Sequence, residues 1–394
     1  VHSADSAPGA VALLWGEPCR LFDAQAASPA VVRRVLAESP GSAPGTPLAR
    51  RGPALLLRTC DGAVWVGHLR RAPATDGTPA LKLAATLAFA NQASTLPEWA
   101  VPLHRPPKDF GDEWDELQYS EFGPTLGRVG WLEFNFHNGA MGERQCRRLV
   151  DALHFAQGRD TRVLVLAGGA DFFSNGIHLH EIEAASLRPG DSAADASMRN
   201  IEAIDDVALA ILQLDDRLTV AALRGNAGAG GCFLALAADR VWAHDGVLLN
   251  PHYKNMGNLY GSEYWTYTLP RRVGAERAQA LMQDRLPLSA AQAVAGGLID
   301  DAFGADALAF EPELAARALA LASAPDWAGA VAVKRQRRAA DEAAKPLAAY
   351  RAEELARMRR NFYGFDPSYH VARHHFVHRK PHAWTPRHLA THRP

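Results

Sequence analysis

Two stretches decide how this chain folds: Ala170-Asp171-Phe172-Phe173-Ser174-Asn175-Gly176-Ile177-His178-Leu179 and Arg224-Gly225-Asn226-Ala227-Gly228-Ala229-Gly230-Gly231. Each follows an unbroken apolar run. Arg162-Val163-Leu164-Val165-Leu166-Ala167 leads through Gly168-Gly169 into the first, and Leu218-Thr219-Val220-Ala221-Ala222-Leu223 leads into the second. Short apolar runs bounded by glycine are the pattern of buried strands. The second stretch continues into Cys232-Phe233-Leu234-Ala235-Leu236-Ala237-Ala238-Asp239, a helical run. Glycines in a strand-to-helix turn let the backbone approach a ligand and point free N–H groups at it, and the helix start favours negative charge. Two such N–H groups from separate turns can hold a thioester oxygen as it becomes an oxyanion, and losing one donor costs about 2.7–4 kcal/mol. Singly, each turn reads more often as phosphate-binding or structural. The spacing fails the dinucleotide and Walker fingerprints, because no acidic partner or Gly-Lys-[Ser/Thr] follows in the required context.

Outward from these turns, Arg128-Val129-Gly130-Trp131-Leu132-Glu133-Phe134-Asn135-Phe136 alternates like a half-buried strand, and Cys146, Leu149, Val150, Leu153 and Ala156 recur at helical spacing. Strands alternating with helices predict a layered α/β domain over residues 118–305. Residues 1–91 are expected to form a small β-rich, OB-like module. There Leu55-Leu56-Leu57-Arg58-Thr59 and Ala63-Val64-Trp65-Val66-Gly67-His68-Leu69 flank Cys60-Asp61-Gly62 as a hairpin. Residues 92–117, with Pro97, Pro102, Pro106, Pro107 and Asp112-Glu113-Trp114-Asp115-Glu116, read as an ordered-to-semirigid linker. Residues 306–394 are Ala-, Arg- and Glu-rich and helical until about Met358, after which the tail turns aromatic and His-rich.

Of 394 residues, 42 are Lys or Arg and 43 Asp or Glu, so no nucleic acid or acidic membrane surface is expected as partner. No apolar run reaches the roughly 18–20 residues of a membrane helix. Cys19, Cys60, Cys146 and Cys232 are widely spaced, which suits free thiols in a cytoplasmic protein, and Cys232 lies in the apolar helical pattern as a packed core thiol. Val1-His2-Ser3-Ala4-Asp5 lacks an initiator Met, a basic n-region and an apolar h-region, and reads as the cut edge of a longer chain.

The segment Asn250-Pro251-His252-Tyr253-Lys254-Asn255-Met256-Gly257-Asn258-Leu259-Tyr260-Gly261-Ser262-Glu263-Tyr264-Trp265-Thr266-Tyr267 crowds aromatic rings around one acid. A dry pocket raises a carboxyl pKa and makes it a stronger base, and a neighbouring phenol can donate to it. Equally, the tyrosines could be core and Glu263 a helix cap after Gly261-Ser262. His370 and His374 have the i,i+4 spacing of metal ligands. Without Cys or acidic support, and with Pro381 and Pro386 nearby, a solvated or inter-domain tail is the better reading and no metal is expected. Lys334-Arg335-Gln336-Arg337-Arg338 reads as a solvated helix face, with adenosine phosphates as the less favoured alternative.

Taken together, the two turns resemble the crotonase superfamily over roughly residues 120–305. That resemblance implies a layered ββα spiral in which Gly176 and Gly230 present the two oxyanion N–H groups. Hydratases of the superfamily activate water with two glutamates, whose positions here are Phe233 and the His252 of Pro251-His252, so a hydratase is not expected. The aromatic segment, the first turn, Met358-Arg359-Arg360-Asn361-Phe362-Tyr363-Gly364-Phe365-Asp366-Pro367, Val1 to Gly9 and Asp61 to His68 resemble the HypX-type (HoxX) family of hydrogenase maturation proteins across almost the whole chain. The resemblance implies that residues 1–91 are a formyltransferase C-terminal subdomain. It implies that the crotonase-like module splits formyl-CoA into carbon monoxide and coenzyme A, supplying CO to the iron of [NiFe]-hydrogenase. Tyr253 and Glu263 would be catalytic, and Ser174, Asn175, Ala229, His252 and Tyr260 would line the substrate. Coenzyme A would be the carrier, with tetrahydrofolate confined to a folate-binding half preceding Val1. Partners would be acyl-CoA and hydrogenase assembly factors. Another CoA-thioester isomerase or hydrolase, or a non-catalytic docking module, are the alternatives.

Overall fold

The computed structural model describes residues 8–73, 79–106 and 113–381. Val1 to Ala7, Pro107, Asp112, His382, Pro386, His388 and His392 lie outside the described residues.

The first module is an antiparallel sheet of β1 (Ala10–Leu14), β2 (Glu17–Ala26), β3 (Pro47–Arg51), β4 (Ala54–Arg58), β5 (Ala63–Arg71) and β6 (Lys82–Ala84), ordered β1-β2-β5-β4-β3 with β6 also on β5. The hairpin over Cys60-Asp61-Gly62 forms. Thr59 N–H donates to Gly62 O at 2.9 Å, Gly62 N–H donates to Thr59 Oγ1 at 2.9 Å, and Arg58 Nη1 donates to Gly62 O at 2.6 Å. Leu55, Leu57, Val66 and Leu69 pack on Leu14, Leu21 and Phe89, while Leu56 and Trp65 pack on Val31, Val35 and Trp99. Both faces are therefore covered, which is why β4 reads as a continuous apolar run instead of alternating. Ser28 caps the covering helix Pro29–Glu38 by accepting from Val31 N–H, and proline occupies its first turn.

The proline-rich segment is laced to its neighbours. Arg50 N–H donates to Pro97 O and Trp99 N–H to Arg50 O, both at 2.9 Å. The buried Arg51 guanidinium donates to Trp99 O (2.6 Å) and Trp114 O (2.8 Å) and pairs with Glu113 at 2.5 Å. Further on, Tyr119 N–H donates to Leu103 O and Arg105 N–H to Tyr119 O. Prolines hold the strap extended so that its remaining N–H and C=O groups extend the sheets on either side.

The second sheet is ordered Asp301–Ala302, Arg240–Ala243, Leu218–Leu223, Val163–Ala167, Val129–Phe134 and Leu117–Phe122, parallel except for the last. Leu164 and Leu166 face the helices Glu143–Gln157 and Ala193–Gln213, while Val163, Val165 and Ala167 face Ala307–Ser323 and Trp327–Ala344. Because Val163–Ala167 pairs in parallel with Leu218–Ala222, the two strands deliver their glycine turns to the same edge. A smaller sheet (Phe172–Ser174, Asn226–Gly228, Leu248–Asn250, Leu288–Ser289) then holds both turns side by side.

Helices Leu347–Tyr363 and Ser368–Val377 fold back over the aromatic segment: Asn361 Oδ1 accepts from Tyr260 N–H at 3.0 Å, and Tyr369 OH meets Ser197 Oγ at 2.6 Å. The helical stretch thus continues past Met358. The basic run is not simply a solvated face. Buried Lys334 donates to Leu214 O (2.5 Å) and Arg217 O (2.8 Å) and pairs with Asp239 (2.6 Å), while Arg338 donates to Leu212 O (2.6 Å). These cations satisfy carbonyls at the C-terminal end of Ala193–Gln213, where the helix dipole favours positive charge. Arg51→Ala should lower the free energy of urea unfolding by about 2–4 kcal/mol by leaving Glu113 and two strap carbonyls unpaired. Arg51→Lys should restore only part of it, because an ammonium lacks the planar fork.

Candidate functional site

The two glycine turns touch. Gly176 has a φ of +77°, and a Cβ built on it would stand 3.5 Å from Gly230 N. A Cβ on Gly231 would stand 2.0 Å from Ser174 O, so the second turn can pack this closely only with glycine. Gly230 opens the helix Gly230–Leu236, whose first N–H groups have no partner within the helix. Ala229 before it sits at φ +47°, ψ −123°, strained for a residue with a Cβ, and is fixed by its N–H donating to Asn250 O at 2.9 Å. The Gly176 N–H donates to buried Ser174 Oγ at 3.0 Å, and that hydroxyl lies 3.2 Å from Met141 Sδ. An oxygen bound at this amide therefore competes with Ser174.

Glu263 is 1 % exposed and aimed at this contact. A Cβ on Gly230 would lie 2.2 Å from Glu263 Oε1, so glycine at 230 makes room for the carboxyl group. Tyr253 OH donates a short hydrogen bond to Glu263 Oε2. Behind it, the Phe233 ring lies on the Tyr253 ring with centroids 5.5 Å apart and planes 23° apart. Phe233, the residue expected where hydratases carry a glutamate, thus supplies an apolar wall to the pair. Gly261, at φ +94°, leaves the space on the other side, where a Cβ would come within 2.1 Å of the Tyr253 ring. Glu263 and Tyr264 have φ of +60° and +59°. Two consecutive non-glycine residues in the left-handed region persist only where surrounding contacts over-determine them.

Two buried acids provide those contacts. Asp205, on the helix Ala193–Gln213, accepts from Glu263 N–H at 2.8 Å and from the Ser262 hydroxyl in a short bond. Glu354, on Leu347–Tyr363, accepts from Tyr264 N–H (2.9 Å), Thr266 N–H (2.8 Å) and Thr266 Oγ1 (2.5 Å). Glu354, from a different helix, therefore binds the N–H groups where Trp265–Val273 begins, and the capping reading of Glu263 fails. The sequence reading passed over both acids. Their signal was an acid on an apolar stripe, Asp205 beside Ile201, Ile204 and Ala208, and Glu354 between Leu347 and Met358–Phe362.

Burial pushes Glu263 up to about 8, the nearby Asp205 reinforces this, and the Tyr253 hydrogen bond opposes it. Burial likewise raises Asp205 to about 6 and Glu354 to about 8. Burial and the adjacent Glu263 carry Tyr253 well above its ordinary value, so the phenol remains a donor. A carboxyl titrating near neutrality beside two glycine turns can take up or release a proton at a bound acyl group.

The remaining expected residues lie at various depths. Ser174 is buried beneath the Gly176 amide, whereas Asn175 is exposed and its Nδ2 donates to Asn138 O at 2.8 Å. Buried His252 accepts from Lys254 N–H at 3.2 Å, and half-buried Tyr260 packs on Trp265 with centroids 5.4 Å apart. Cys232 is a packed core thiol, pushed up to about 12 by burial. In the tail, the histidines that converge are His374 and His378, both on Glu183 with Arg373, whereas His370 meets Phe362 O at 2.8 Å. Burial would raise Glu183, but hydrogen bonds from His378, Arg373 and His374 hold it down to about 2. A guanidinium sharing that carboxylate makes an ion-pair cluster the better description, although the donor set of Glu183, His374 and His378 is of metal-ligand type. Asp23, His68 and His137 form a second such group.

A fold of this kind, with paired glycine turns facing a buried acid, defines a class, and the comparisons agree. Residues 135–385 match the enoyl-CoA hydratase/isomerase family model, and the chain belongs to that family. It is moreover a homologue of the hydrogenase maturation proteins HoxX and HypX. It is 50% identical over its full 394 residues to hydrogenase maturation factor HoxX of Bradyrhizobium diazoefficiens, covering 63% of that protein. It superposes on HypX of Aquifex aeolicus, solved in complex with tetrahydrofolic acid, with a TM-score of 0.88 and 41% identity, covering 100% of this chain and 65% of that one. The chain thus spans less than two thirds of the length of either relative. An enoyl-CoA hydratase from Bacillus halodurans shares the fold alone, with a TM-score of 0.56 and 18% identity over 66% of this chain and 99% of that one.

The raised Glu263 has a stability consequence. Its folded form prefers the proton, so the stability it contributes is complete below about pH 4.5 and is lost as pH rises through about 8. Glu263→Gln keeps the neutral shape, so its melting temperature should exceed wild type by a margin that widens between pH 5 and 8.5. A margin independent of pH would contradict the raised value.

Proposed function

We propose that this chain decarbonylates formyl-coenzyme A to carbon monoxide and coenzyme A, in the service of [NiFe]-hydrogenase maturation. The observation that carries this reading is the Glu263 carboxyl group, dry, hydrogen-bonded to Tyr253 and pressed against Gly230, with Phe233 where a hydratase needs its second acid. The kinship with HoxX and HypX supports the pathway.

In the proposed step the formyl oxygen sits at the glycine turns, held by the Gly230 N–H and, after Ser174 gives way, by that of Gly176. Ionised Glu263 removes the formyl C–H proton. The C–H electron pair stays on carbon as CO forms, and the C–S pair leaves with sulfur as thiolate. Glu263 then returns its proton to sulfur, giving the thiol and restoring the base. Tyr253 orients the carboxylate and stabilises its charge with a hydrogen bond before the proton is taken up. The aromatic wall keeps out water, which would otherwise hydrolyse the thioester to formate. No oxidant or metal enters this balance.

Ser174, Asn175, Ala229, His252 and Tyr260 are proposed to line the acyl and pantetheine path. Coenzyme A is the carrier in this account. Tetrahydrofolate is what the HypX relative is solved with and is assigned no site on this chain. Hydrogenase assembly factors are the proposed protein partners, and the free thiols suit the cytoplasm. Among the described residues no helix is long and apolar enough to cross a membrane.

Purified chain given formyl-CoA should release CO and free thiol in equal amounts. Glu263→Gln should slow CO release by about 10²–10⁴-fold, the usual worth of a general base. The wild-type rate should climb with pH and level off above about 8, as Glu263 loses its proton. Thiol without CO would point to a hydrolase on the same scaffold, and silence toward formyl-, acetyl- and crotonyl-CoA to a docking module.

A further inference from the structure

A cavity of about 650 Å³ opens where three helices end: Ala193–Gln213, Gly230–Leu236 and Trp265–Val273. That volume lies within the roughly 300–1,000 Å³ of small-molecule sites. Arg240, Arg271, Arg272, Lys334, Arg337 and Arg338 line it, against the two acids Asp239 and Asp300. The whole chain has a net charge of −1, so this concentration of cations is local. Among the described residues, none from the glycine turns, the first module or the tail helix Ser368–Val377 lines the cavity. It is separate from the acyl position.

The helix ends account for half of these cations, because the last carbonyls of a helix attract positive charge. Lys334 and Arg338 hold Leu214 O and Leu212 O, while Arg272 pairs with Asp300 at 2.6 Å and donates to Ala238 O (3.3 Å) and Asp239 O (3.4 Å). The other three stand exposed at the rim. Arg240 reaches Asp300 only at 3.4 Å, and that carboxylate already serves Arg272 and the Val241 N–H (2.7 Å). Arg271 pairs with Asp341 at 2.6 Å. Arg337 makes no hydrogen bond or ion pair with any described residue. With Asp341 included, six cations meet three acids, which leaves a surplus of three positive charges. Tyr267 fixes two of the guanidiniums in advance. Arg271 lies 5.0 Å and Arg338 5.3 Å from its ring centre, and its hydroxyl accepts from Arg338 Nη1 at 2.6 Å and donates to Asp341 at 2.8 Å.

We propose that this cavity is a second ligand site, one that binds a small polyanion bearing several phosphate or carboxylate groups. Guanidinium groups bind the oxygens of either in pairs, and Arg271, Arg337 and Arg338 offer such forks from two helices, Trp265–Val273 and Trp327–Ala344. Buried Leu212, Leu236 and Ala237 form an apolar floor, which limits screening by water and strengthens the attraction. Trp265–Val273 begins two residues after Glu263, so an anion that ties it to Trp327–Ala344 braces the segment that carries the acid. The site goes beyond the reaction proposed above and does not depend on it.

Titration calorimetry of the 394-residue chain with pyrophosphate, citrate and a poly-glutamate peptide tests this. The salt should be about 0.15 M, which screens loose surface attraction beyond about 8 Å. Pyrophosphate or citrate should bind at one site per chain with a Kd below about 1 mM and raise the melting temperature. A preference for pyrophosphate assigns a phosphorylated ligand, and a preference for citrate a polycarboxylate. Arg337→Ala removes an exposed side chain without a partner and so leaves the fold intact. It should weaken binding about ten-fold or more, the scale of one charge-assisted hydrogen bond, and Arg337→Lys should recover only part of the loss. Coenzyme A should bind Arg337→Ala as it binds wild type. The proposal is overturned if neither small anion binds, if Arg337→Ala and Arg271→Ala both leave the affinity unmoved, or if the peptide binds more tightly than either anion. Weakened coenzyme A binding in Arg337→Ala would also overturn it, by making the cavity part of the acyl-carrier site.

Discussion

The buried contact between the Glu263 carboxyl group and Gly230 constrains nearly everything around it. An acid taken out of water must be neutralised or hydrogen-bonded, or it costs several kcal/mol. Here it is eased by the Tyr253 phenol and by a shift in its own titration. The fold accommodates that cost with two parallel strands that bring the glycine turns together and with helices that close over the acid.

Those helices explain why the segment adopts a strained backbone. Consecutive left-handed residues at 263 and 264 are uphill for side chains with a Cβ, and the hydrogen bonds their N–H groups donate to Asp205 and Glu354 offset that. These two acids bind the backbone of the segment. They fix where Glu263 points, and through shared burial and mutual repulsion they help keep its proton near the neutral range. Glu354 arrives from the C-terminal helices, so the geometry around Glu263 depends on a segment well beyond the glycine turns in sequence.

The core of the fold was legible because it is written in local pattern: apolar runs ending in glycine, and a hairpin signal at Asp61-Gly62. Ring-rich sequence around a lone acid suggested a phenol beside Glu263, but the choice of Tyr253 came from the family resemblance and not from the pattern. What escaped were relationships set only by tertiary packing. Asp205 and Glu354 look like ordinary helix acids until the helices meet. Lys334 and Arg338 look solvent-facing until carbonyls at the end of another helix claim them. The proline segment looked like a spacer because sequence shows the prolines and not the strand edges they run beside. The Gly176 amide could not be seen donating to Ser174, since that depends on a hydroxyl rotamer. His374 and His378 were passed over for His370 and His374, because the deciding partner, Glu183, lies far away in the chain.

The protonation of Glu263 is the point on which this account turns. Infrared difference spectra of wild type against Glu263→Gln, recorded across pH, isolate the C=O stretch of that one protonated carboxyl group. The account predicts a band present at pH 6 that fades with a midpoint near 8. A side chain already ionised at pH 5 would mean that the pocket is wet, and the site would then lack the dry, proton-holding base described here.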